Sequence, residues 1–307
     1  MAYQQMWTMR VLVMAIVLIG LPWGAVCVPA GRDDAEAMQA IAKSIGWAVP
    51  SSDPCDGTWT GVSCNEIGRV TSIVVTHAGL HGVLNGSDLG KLTFLSNLDL
   101  SFNSLIGHLP LLSTPHQHLR NIDLSSNSLT RIPGGFFAAL PALEAIALDN
   151  NDMLLLWDQR DLVTCFALRS FSANNASVYD NFLNFFGDVA LFPAFERLSL
   201  ARNRMSGAVG TGFGANSNIK YLDVGGQHND RDKITGRLDL FIPDMVNLVE
   251  AHLDHSGFFG PLPVTKLVNL RIFDASYNDL CRHPKFAPGT AVTLDGNPNV
   301  GFACLNL

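Results

Sequence analysis

The side chains best placed for chemistry in this sequence are His252, Asp254 and His255, which lie within four residues of one another. Two imidazoles and one carboxylate at this spacing suggest a metal site. The pattern is weak, because solvated surface side chains produce it several times more often than a metal site does. We therefore predict that the chain holds no metal ion and no cofactor.

No motif of an established catalytic constellation accompanies these residues. The sequence has no G-x-S-x-G nucleophile elbow, no P-loop and no H-E-x-x-H motif. The glycines of residues 210–214 lack the spacing of a dinucleotide-binding loop and precede no strong helix, so a loop is the better interpretation. His116 and His118 lie in a polar stretch and indicate no site. We predict that the chain is not an enzyme.

The charge composition excludes two classes of partner. The 307 residues contain 27 Asp+Glu and 20 Lys+Arg, a net charge of −7 with no basic run. Nucleic acids and anionic lipids both require clustered Lys or Arg, so neither is an expected partner. With 15% charged and 48% hydrophobic residues, the chain has ample material for a large core.

The first thirty residues have the pattern of a secretory signal peptide, which we assign to residues 1–30. Arg10 is their single charge, and the apolar run 11–21 and several small residues follow it. Cleavage after Cys27 and cleavage after Ala30 both fit. The run is shorter than the ~20 residues of a membrane span. We predict a secreted or cell-surface-associated extracellular protein with no membrane span in its mature chain.

Export would place the cysteines in an oxidising compartment, where disulfides form. Cys55 and Cys64 are close in sequence, and we predict a disulfide between them. Cys281 with Cys304 is the natural second pair. Cys165 is left over; a small buried thiol is the simpler interpretation, and an intermolecular bond is the alternative.

One repeat organises most of the chain. Apolar residues recur at relative positions 1, 4 and 6, often with Asn at position 9, and the units are 22 to 29 residues apart. The pattern L-x-x-L-x-L-x-x-N defines a leucine-rich repeat. We number the coils 1 to 9 by their position-1 residues, which are Val70, Leu95, Leu119, Leu143, Leu168, Phe195, Ile219, Leu248 and Leu270.

This repeat predicts an α/β repeat solenoid, curved into a superhelix. Positions 4 and 6 share one face of a short strand and point into the core, which only stacked neighbours can bury. The Asn at position 9 can satisfy backbone groups where the chain leaves the strand. Coils with Ala78, Ala176, Gln227 or Ser256 at that position are predicted to interrupt this ladder.

Two further features complete the predicted architecture. Several coils continue as L-x-G-x-L-P, as at residues 105–110, which is the plant-type extension of the repeat. Residues 33–45 have the pattern of an amphipathic helix, which with the first cysteine pair would form a disulfide-bonded cap. We assign residues 31–68 to this N-terminal cysteine cap, 69–297 to about nine repeats plus a partial last one, and 298–307 to the C-terminal end.

The concave strand face is the usual binding surface of a solenoid. Side chains at repeat positions that lie between the core residues point to this face. Asp recurs at position 5 of the repeat. Aspartate is common at this position whatever the ligand, so a structural role is as expected as a binding role. Aromatic residues are typical interface anchors, and histidines change charge near neutral pH. The candidate binding residues are Phe102, Tyr221, Asp223, His252, Asp254, His255, Asp274 and Tyr277, mostly in the C-terminal half.

Two sequons predict N-linked glycosylation. Asn85 is expected on a lateral loop, where a glycan would be accepted. Asn175 is expected beside a strand end, where a glycan would obstruct the concave face.

The cap and the plant-type repeats resemble the ectodomains of plant leucine-rich-repeat receptor-like kinases, in particular the first repeat block of the transmembrane-kinase (TMK) subfamily. The stretches that carry this resemblance are residues 131–140, 171–174, 185–187, 192–193, 200–203, 226–227, 236–239 and 258–263, together with the polar insertion 228–233. The resemblance implies extracellular recognition in cell-surface auxin and growth signalling. Family members continue into a membrane span and a kinase, which this sequence lacks.

These features favour an extracellular, receptor-like recognition module. Its expected partners are a peptide, a protein or a receptor ectodomain. The alternatives are a secreted inhibitor of a cell-wall hydrolase, similar to polygalacturonase inhibitors, and a non-functional truncated receptor copy.

Overall fold

Each repeat contributes one short strand to a single long parallel sheet. The computed structural model describes residues 31–152, 159–228 and 233–304; the signal peptide predicted for residues 1–30 lies outside these ranges. The strands in chain order are β1 (Val62–Cys64), β2 (Val70–Val74), β3 (His81–Gly82), β4 (Asn97–Asp99), β5 (Ser104–His108), β6 (Asn121–Asp123), β7 (Ser128–Arg131), β8 (Ala145–Ala147), β9 (Ser170–Ser172), β10 (Arg197–Ser199), β11 (Gly207–Ala208), β12 (Tyr221–Asp223), β13 (Ile234–Arg237), β14 (Glu250–His252), β15 (Gly257–Pro261), β16 (Ile272–Asp274), β17 (Asp279–Arg282), β18 (Ala291–Thr293) and β19 (Asn299–Val300).

The main sheet runs β1-β2-β4-β6-β8-β9-β10-β12-β14-β16-β18. All of its neighbours pair in parallel except β1, which is antiparallel to β2. The register aligns equivalent repeat positions, so Leu98 lies opposite Ile122 and Leu222 opposite Ala251. These position-4 side chains are buried, and the predicted leucine-rich-repeat solenoid is confirmed.

Short helices and a second layer of strands close the coils on the outside. The helices are α1 (Arg32–Ser44), α2 (Gly86–Leu89) and α3 (Gln159–Leu162), with 3-10 turns at Phe137–Ala139, Asn184–Gly187, Leu238–Leu240 and Ile242–Asp244. The outer strands form two sheets, β3-β5-β7 and β11-β13-β15-β17-β19. Gly107 and Gly260 of the plant-type extension have φ values of 88° and 83°, a left-handed conformation that glycine adopts readily.

Between the two outer sheets, phenylalanines fill the interior of coil 5 and the start of coil 6. Phe186 lies at the centre of this cluster, with ring centroids 5.2 Å from Phe171, 5.0 Å from Phe195 and 5.5 Å from Phe192. All four rings are fully buried. Aromatic pairs at these separations add to the stabilisation from area burial alone.

The N-terminal cap covers the open end of the first coil. Helix α1 buries the apolar face that the sequence predicts, including Met38 and Ile41, and the predicted Cys55–Cys64 disulfide is formed. Asp34 at the start of α1 is fully buried. Its carboxylate accepts hydrogen bonds from the Arg69 guanidinium (2.7 Å) and from the Val70 N–H (2.8 Å), so charge as well as apolar contact joins the cap to β2.

The other cysteines also have defined positions. Cys281 and Cys304 form a disulfide that ties the C-terminal residues to β17. Cys165 is a free thiol buried in the core, and its Sγ lies 3.4 Å from the carbonyl oxygen of Leu140. Burial raises the pKa of the Cys165 thiol to about 12, so the thiol stays protonated and unreactive.

A ladder of buried amides satisfies the turns after the strands. Asn127 donates from Nδ2 to the carbonyl oxygens of Leu100 (3.0 Å) and Leu124 (3.1 Å), in the preceding coil and its own. Its Oδ1 accepts a hydrogen bond from the Leu105 N–H at 2.9 Å. One side chain therefore hydrogen-bonds the backbone of two coils.

The sequence-based prediction that Gln227 interrupts the ladder is wrong. Gln227 donates to the carbonyl oxygens of Leu200 (3.0 Å) and Val224 (2.9 Å) and accepts from the Met205 N–H (3.0 Å), which reproduces the asparagine pattern. The additional methylene of glutamine is therefore accommodated here. Ser256 reaches only carbonyl oxygens, at 3.2 Å or more.

His116 is buried rather than part of an exposed polar loop. Its Nε2 lies 2.8 Å from the carbonyl oxygen of Leu92, and its Nδ1 accepts a hydrogen bond from the Leu119 N–H at 3.2 Å. The imidazole thus bridges two coils in its neutral form, with the proton on Nε2. Burial lowers the pKa of His116 below its ordinary value.

Replacing Asn203 with alanine should strongly destabilise the solenoid. Asn203 is buried and makes hydrogen bonds to five backbone groups of coils 5 and 6. We expect a loss of about 2–4 kcal/mol, since each buried group left unpaired costs ~1–3 kcal/mol and water relieves part of that. Chemical denaturation measures the change. The control is Asn121→Ala, an exposed strand asparagine; equal losses in the two variants would contradict the role of the ladder.

Acidification should destabilise the protein partly through His116. The pKa of a histidine in the unfolded chain is about 6.5. Below that pH, His116 binds a proton more readily in the unfolded chain than in the folded chain. The free energy of unfolding therefore falls as the pH drops from that value towards the lowered folded pKa. We expect His116→Asn to be less stable at pH 7.5 and to lose less stability between pH 7.5 and 5 than the wild type.

Thermal unfolding across this pH range measures that difference, and the exposed His108→Ala serves as the control. If the His116→Asn and wild-type stability curves remained parallel, this assignment would be wrong.

Candidate functional site

The concave face presents side chains from positions 3, 5 and 8 of successive coils. Position 8 has a positive φ in every coil, between 47° and 73°. A left-handed conformation is uncommon for bulky residues, so the turn after each strand imposes it. The position-8 residues are His77, Phe102, Ser126, Asn150, Asn175, Arg202, Gly226, His255, Tyr277 and, in the partial tenth coil, Gly296.

The candidate residues of coils 7 to 9 lie together on this face. Register places Asp223, His252 and Asp274 side by side on three adjacent strands. Tyr277 is 54% exposed, and its ring packs over Gly296, where a Cβ would come within 2.5 Å of it. We call Arg197, Arg202, Tyr221, Asp223, Glu250, His252, Asp254, His255, Asp274 and Tyr277 the C-terminal patch.

One part of the patch is centred on the Tyr221 ring. The Arg197 guanidinium lies over this ring at 4.0 Å, and the His252 ring lies 5.5 Å away on the next strand. The Tyr221 hydroxyl donates to Asp223 at 3.3 Å. Burial raises the pKa of Tyr221 to about 12, so this hydroxyl remains a donor. Burial likewise raises the pKa of Asp223.

The other part is a stacked histidine and tyrosine. The rings of His255 and Tyr277 lie 4.2 Å apart and nearly parallel. The His255 Nδ1 is 3.0 Å from the Asp254 carboxylate. This contact holds the imidazole in place against the tyrosine ring.

A cavity opens between these side chains because coil 7 has glycine at position 8. Without a side chain on Gly226, a space of about 620 Å³ remains between Arg202 of coil 6 and His255 of coil 8. Gln227, His228, Lys233 and Asp254 complete its lining. Cationic and anionic groups both face the space, which therefore suits polar ligand groups of either charge.

The position-5 aspartates also have a structural role. Asp274 accepts hydrogen bonds from the Ser276 N–H (3.0 Å) and hydroxyl (2.8 Å), and Asp99 makes the same two contacts with Ser101. Asp223 accepts from the Gly225 N–H. These carboxylates close the turn after the strand, which explains the recurrence of aspartate there.

Phe102 does not belong to the C-terminal patch. It lies on coil 2, where its ring stacks on His77 with centroids 4.4 Å apart, and it is 52% exposed. Four coils lie between it and Tyr221 on coil 7. The structure therefore divides the predicted binding residues into two surfaces, and a binding role for either stays a prediction.

The two sequon asparagines differ in their surroundings. Asn85 is exposed before α2, and its Oδ1 accepts the Ser87 N–H at 2.9 Å, which leaves its amide nitrogen facing outward. Asn175 lies on the concave face and donates from Nδ2 to Asn150 at 3.0 Å. Glycosylation at both stays a prediction.

Sequence reasoning left several patch and cavity residues out. Arg197 and Glu250 occupy position 3 beside Tyr221, and Arg202 and Gly226 occupy position 8. Reading every concave position across neighbouring coils would have found them. A glycine in a row of larger side chains indicates a cavity. The hydrophobicity pattern of the repeat does not contain this information.

His252 and His255 engage different carboxylates. His252 Nε2 lies 3.4 Å from Glu250, whereas His255 contacts Asp254. Among the residues that the structure describes, no group of three His, Cys, Asp or Glu side chains is arranged to hold a metal ion. Within the same ranges, no helix is long and apolar enough to cross a bilayer.

Family models match two parts of the chain. Residues 32–65 match the leucine rich repeat N-terminal domain, and residues 93–153 match the leucine rich repeat. These segments correspond to the cap and to coils 2 to 4. The two matches agree with the order of cap and repeats in the fold.

The similar curated proteins are plant receptor kinases and their relatives. The receptor-like kinase TMK2 of Arabidopsis thaliana is 30% identical over 230 residues, which cover 75% of this chain and 25% of that protein. STRUBBELIG-RECEPTOR FAMILY 3 of the same plant is 34% identical over 104 residues, 32% of this chain and 13% of that protein. The matched region thus spans a quarter or less of these relatives.

Solved structures share the fold. The plant peptide hormone receptor RGFR1, in complex with RGF2, has a TM-score of 0.59 at 19% identity, covering 69% of this chain and 33% of that one. A plant ice-binding protein has a TM-score of 0.65 at 20% identity, covering 91% and 100%. At these identities the likeness concerns the fold alone. With its cap, its amide ladder and these relatives, the chain is a leucine-rich-repeat protein that resembles the repeat-bearing part of plant receptor-like kinases.

Proposed function

We propose that this protein is an extracellular recognition module whose C-terminal patch binds an extended segment of a peptide or of another protein, including a receptor ectodomain. The observation that carries the proposal is the cavity at Gly226. It lies between Arg202 and His255, and the His255 ring that borders it stacks on the half-exposed ring of Tyr277 in the next coil. A charged recess next to an aromatic anchor suits a ligand with polar and apolar groups in succession.

The relatives give this proposal its biological setting. The protein resembles TMK2 over most of its repeats, and one structure with the same fold is a peptide hormone receptor bound to its hormone. We extend the proposal to secretion and to growth signalling at the plant cell surface. In this setting the repeats recognise a ligand.

Filling the cavity should abolish binding without disturbing the fold. Gly226→Asn introduces a side chain between Arg202 and His255, and asparagine tolerates the left-handed conformation, as Asn150 and Asn175 do at the same position. A random peptide library displayed against the immobilised full chain identifies a binder, whose affinity is then measured for each variant. We expect at least a tenfold loss, about 1.4 kcal/mol, for Gly226→Asn.

The matched control is Ser126→Asn, the same new side chain at position 8 of coil 3, which should leave the affinity unchanged. The site would lie at the other end of the solenoid if Gly226→Asn bound normally while Phe102→Asn did not bind. A library that enriched no peptide would argue against peptide recognition itself.

Binding should also depend on pH through the patch histidines. His252 is flanked by the carboxylates of Asp223, Asp274 and Glu250, on its own and the two adjacent strands. We expect the affinity for the selected peptide to differ between pH 5 and 7.5. The double variant His252→Ala, His255→Asn should remove most of that difference, whereas His108→Ala on the outer face should keep it. An unchanged pH dependence in the double variant would exclude the histidines.

A further inference from the structure

An apolar groove of about 660 Å³ lies on the outer side of coils 1 and 2. Residues at and after strands β3 and β5 line most of it. Val83 and Leu111, each 48% exposed, contribute apolar surface. Gly107 lines the groove beside Val83 and adds no side chain to it. Exposed apolar surface of this kind often marks a place of contact.

The groove has almost no charge. Among the described residues that line it there is no Asp, Glu, Lys or Arg, and His108 is the one titratable side chain. A charged segment of a partner would therefore form no ion pair with a carboxylate or a basic side chain of this lining. The combination of aliphatic side chains with Ser44 and Asn85 suits an uncharged occupant that has both C–H and hydroxyl groups.

Asn85 lines the same groove and begins the glycosylation sequon of residues 85–87. Its Oδ1 accepts hydrogen bonds from the Ser87 N–H (2.9 Å) and hydroxyl (3.0 Å), which fixes the carboxamide with its oxygen toward α2. Within the described ranges Nδ2, the atom that carries an N-linked glycan, has no hydrogen-bond partner. By contrast, Nδ2 of Asn175 donates to Asn150. The attachment atom at Asn85 is therefore free.

The fold fixes the position of this sequon relative to the groove. Val83 and Asn85 are exposed and Leu84 between them is buried, so the first two side chains share one face of an extended segment. Gly86 is buried against the next coil, where a Cβ would lie 2.0 Å from the Leu111 carbonyl oxygen. Asn85 is thus held between the two side chains that make the groove apolar.

We propose that a glycan attached to Asn85 occupies this groove and that its first N-acetylhexosamine packs on Val83 and Leu111. One face of a pyranose ring consists of C–H groups, which gain by burial against aliphatic side chains, while the hydroxyls at the ring edge stay hydrated. The sugar would then join the loops of coils 1 and 2 from outside. This inference rests on the proposed secretion and is independent of peptide recognition by the C-terminal patch.

Mass spectrometry of the full chain, expressed in plant cells and recovered from the medium, tests the modification. We expect a glycan on Asn85 in the wild type and in Ser87→Thr, which keeps the sequon, and none in Ser87→Ala. An unmodified Asn85 in a secreted chain would overturn this proposal alone. Absence of the chain from the medium would contradict secretion, and with it this glycan.

Enzymatic trimming tests the contact made by the first sugar. On chains made with high-mannose glycans, an endoglycosidase leaves one N-acetylglucosamine on the asparagine, whereas an amidase removes the whole glycan and leaves aspartate, an equally good helix cap. In Ser87→Ala both enzymes act at Asn175 only, so this variant is the control. We expect complete removal to lower the midpoint of thermal unfolding about 2 °C more in the wild type than in Ser87→Ala. Trimming to one sugar should lower it equally in both.

Substitutions in the groove test where the sugar lies. Leu111→Ser and Val83→Ser remove apolar surface under the ring, and each should reduce the stabilisation that the glycan gives, as a double-mutant cycle measures. Val268→Ser, at a 71% exposed position on coil 9, is the matched control and should keep that stabilisation.

Three results would overturn the proposed contact. One is an equal unfolding midpoint for the one-sugar and sugar-free wild-type chains. Another is a full glycan effect in both Leu111→Ser and Val83→Ser. The third is dimerisation of the glycosylated chain in sedimentation velocity that Leu111→Ser prevents, because a second copy would then occupy the groove.

Discussion

Every coil of this solenoid turns after a strand of a few residues, and the backbone groups inside that turn must be hydrogen-bonded away from water. The position-9 amides meet this requirement, because one carboxamide can donate to two coils and accept from a third group at once. Asn127 and Gln227 do so with partners at equivalent repeat positions. The constraint therefore concerns a carboxamide at a fixed place, and the length of the side chain that carries it can vary.

The same turn shapes the concave face. It holds position 8 in the left-handed conformation, which costs of order 1–3 kcal/mol for a residue other than glycine, and it directs that side chain toward the concave face. Phe102, His255 and Tyr277 occupy this position although glycine or asparagine would fit it with less strain. Each of these rings stacks on a ring of an adjacent coil, Phe102 on His77 and His255 on Tyr277. Where glycine does occur, at Gly226, the row of side chains opens into a cavity.

The apolar layer at the end of a repeat array must also be covered. At the N-terminus the cap combines apolar contact with the buried pairing of Asp34 and Arg69. Such a pair stabilises little by itself, but it is costly to break and fixes one geometry. At the C-terminus the disulfide of Cys281 and Cys304 ties the last described residues to β17 of the outer sheet.

The sequence by itself determined the repeat, the cap and the two cysteine pairs, because each depends on residue type at a short, regular spacing. It also placed the candidate side chains on the concave face. Only the tertiary structure decided which of them touch, since contact between side chains of adjacent coils depends on the directions in which they point: Tyr277 stacks on His255, whereas Phe102 stacks on His77. The burial of His116, the equivalence of Gln227 to asparagine and the cavity at Gly226 depend on what neighbouring coils leave open, which no single repeat encodes.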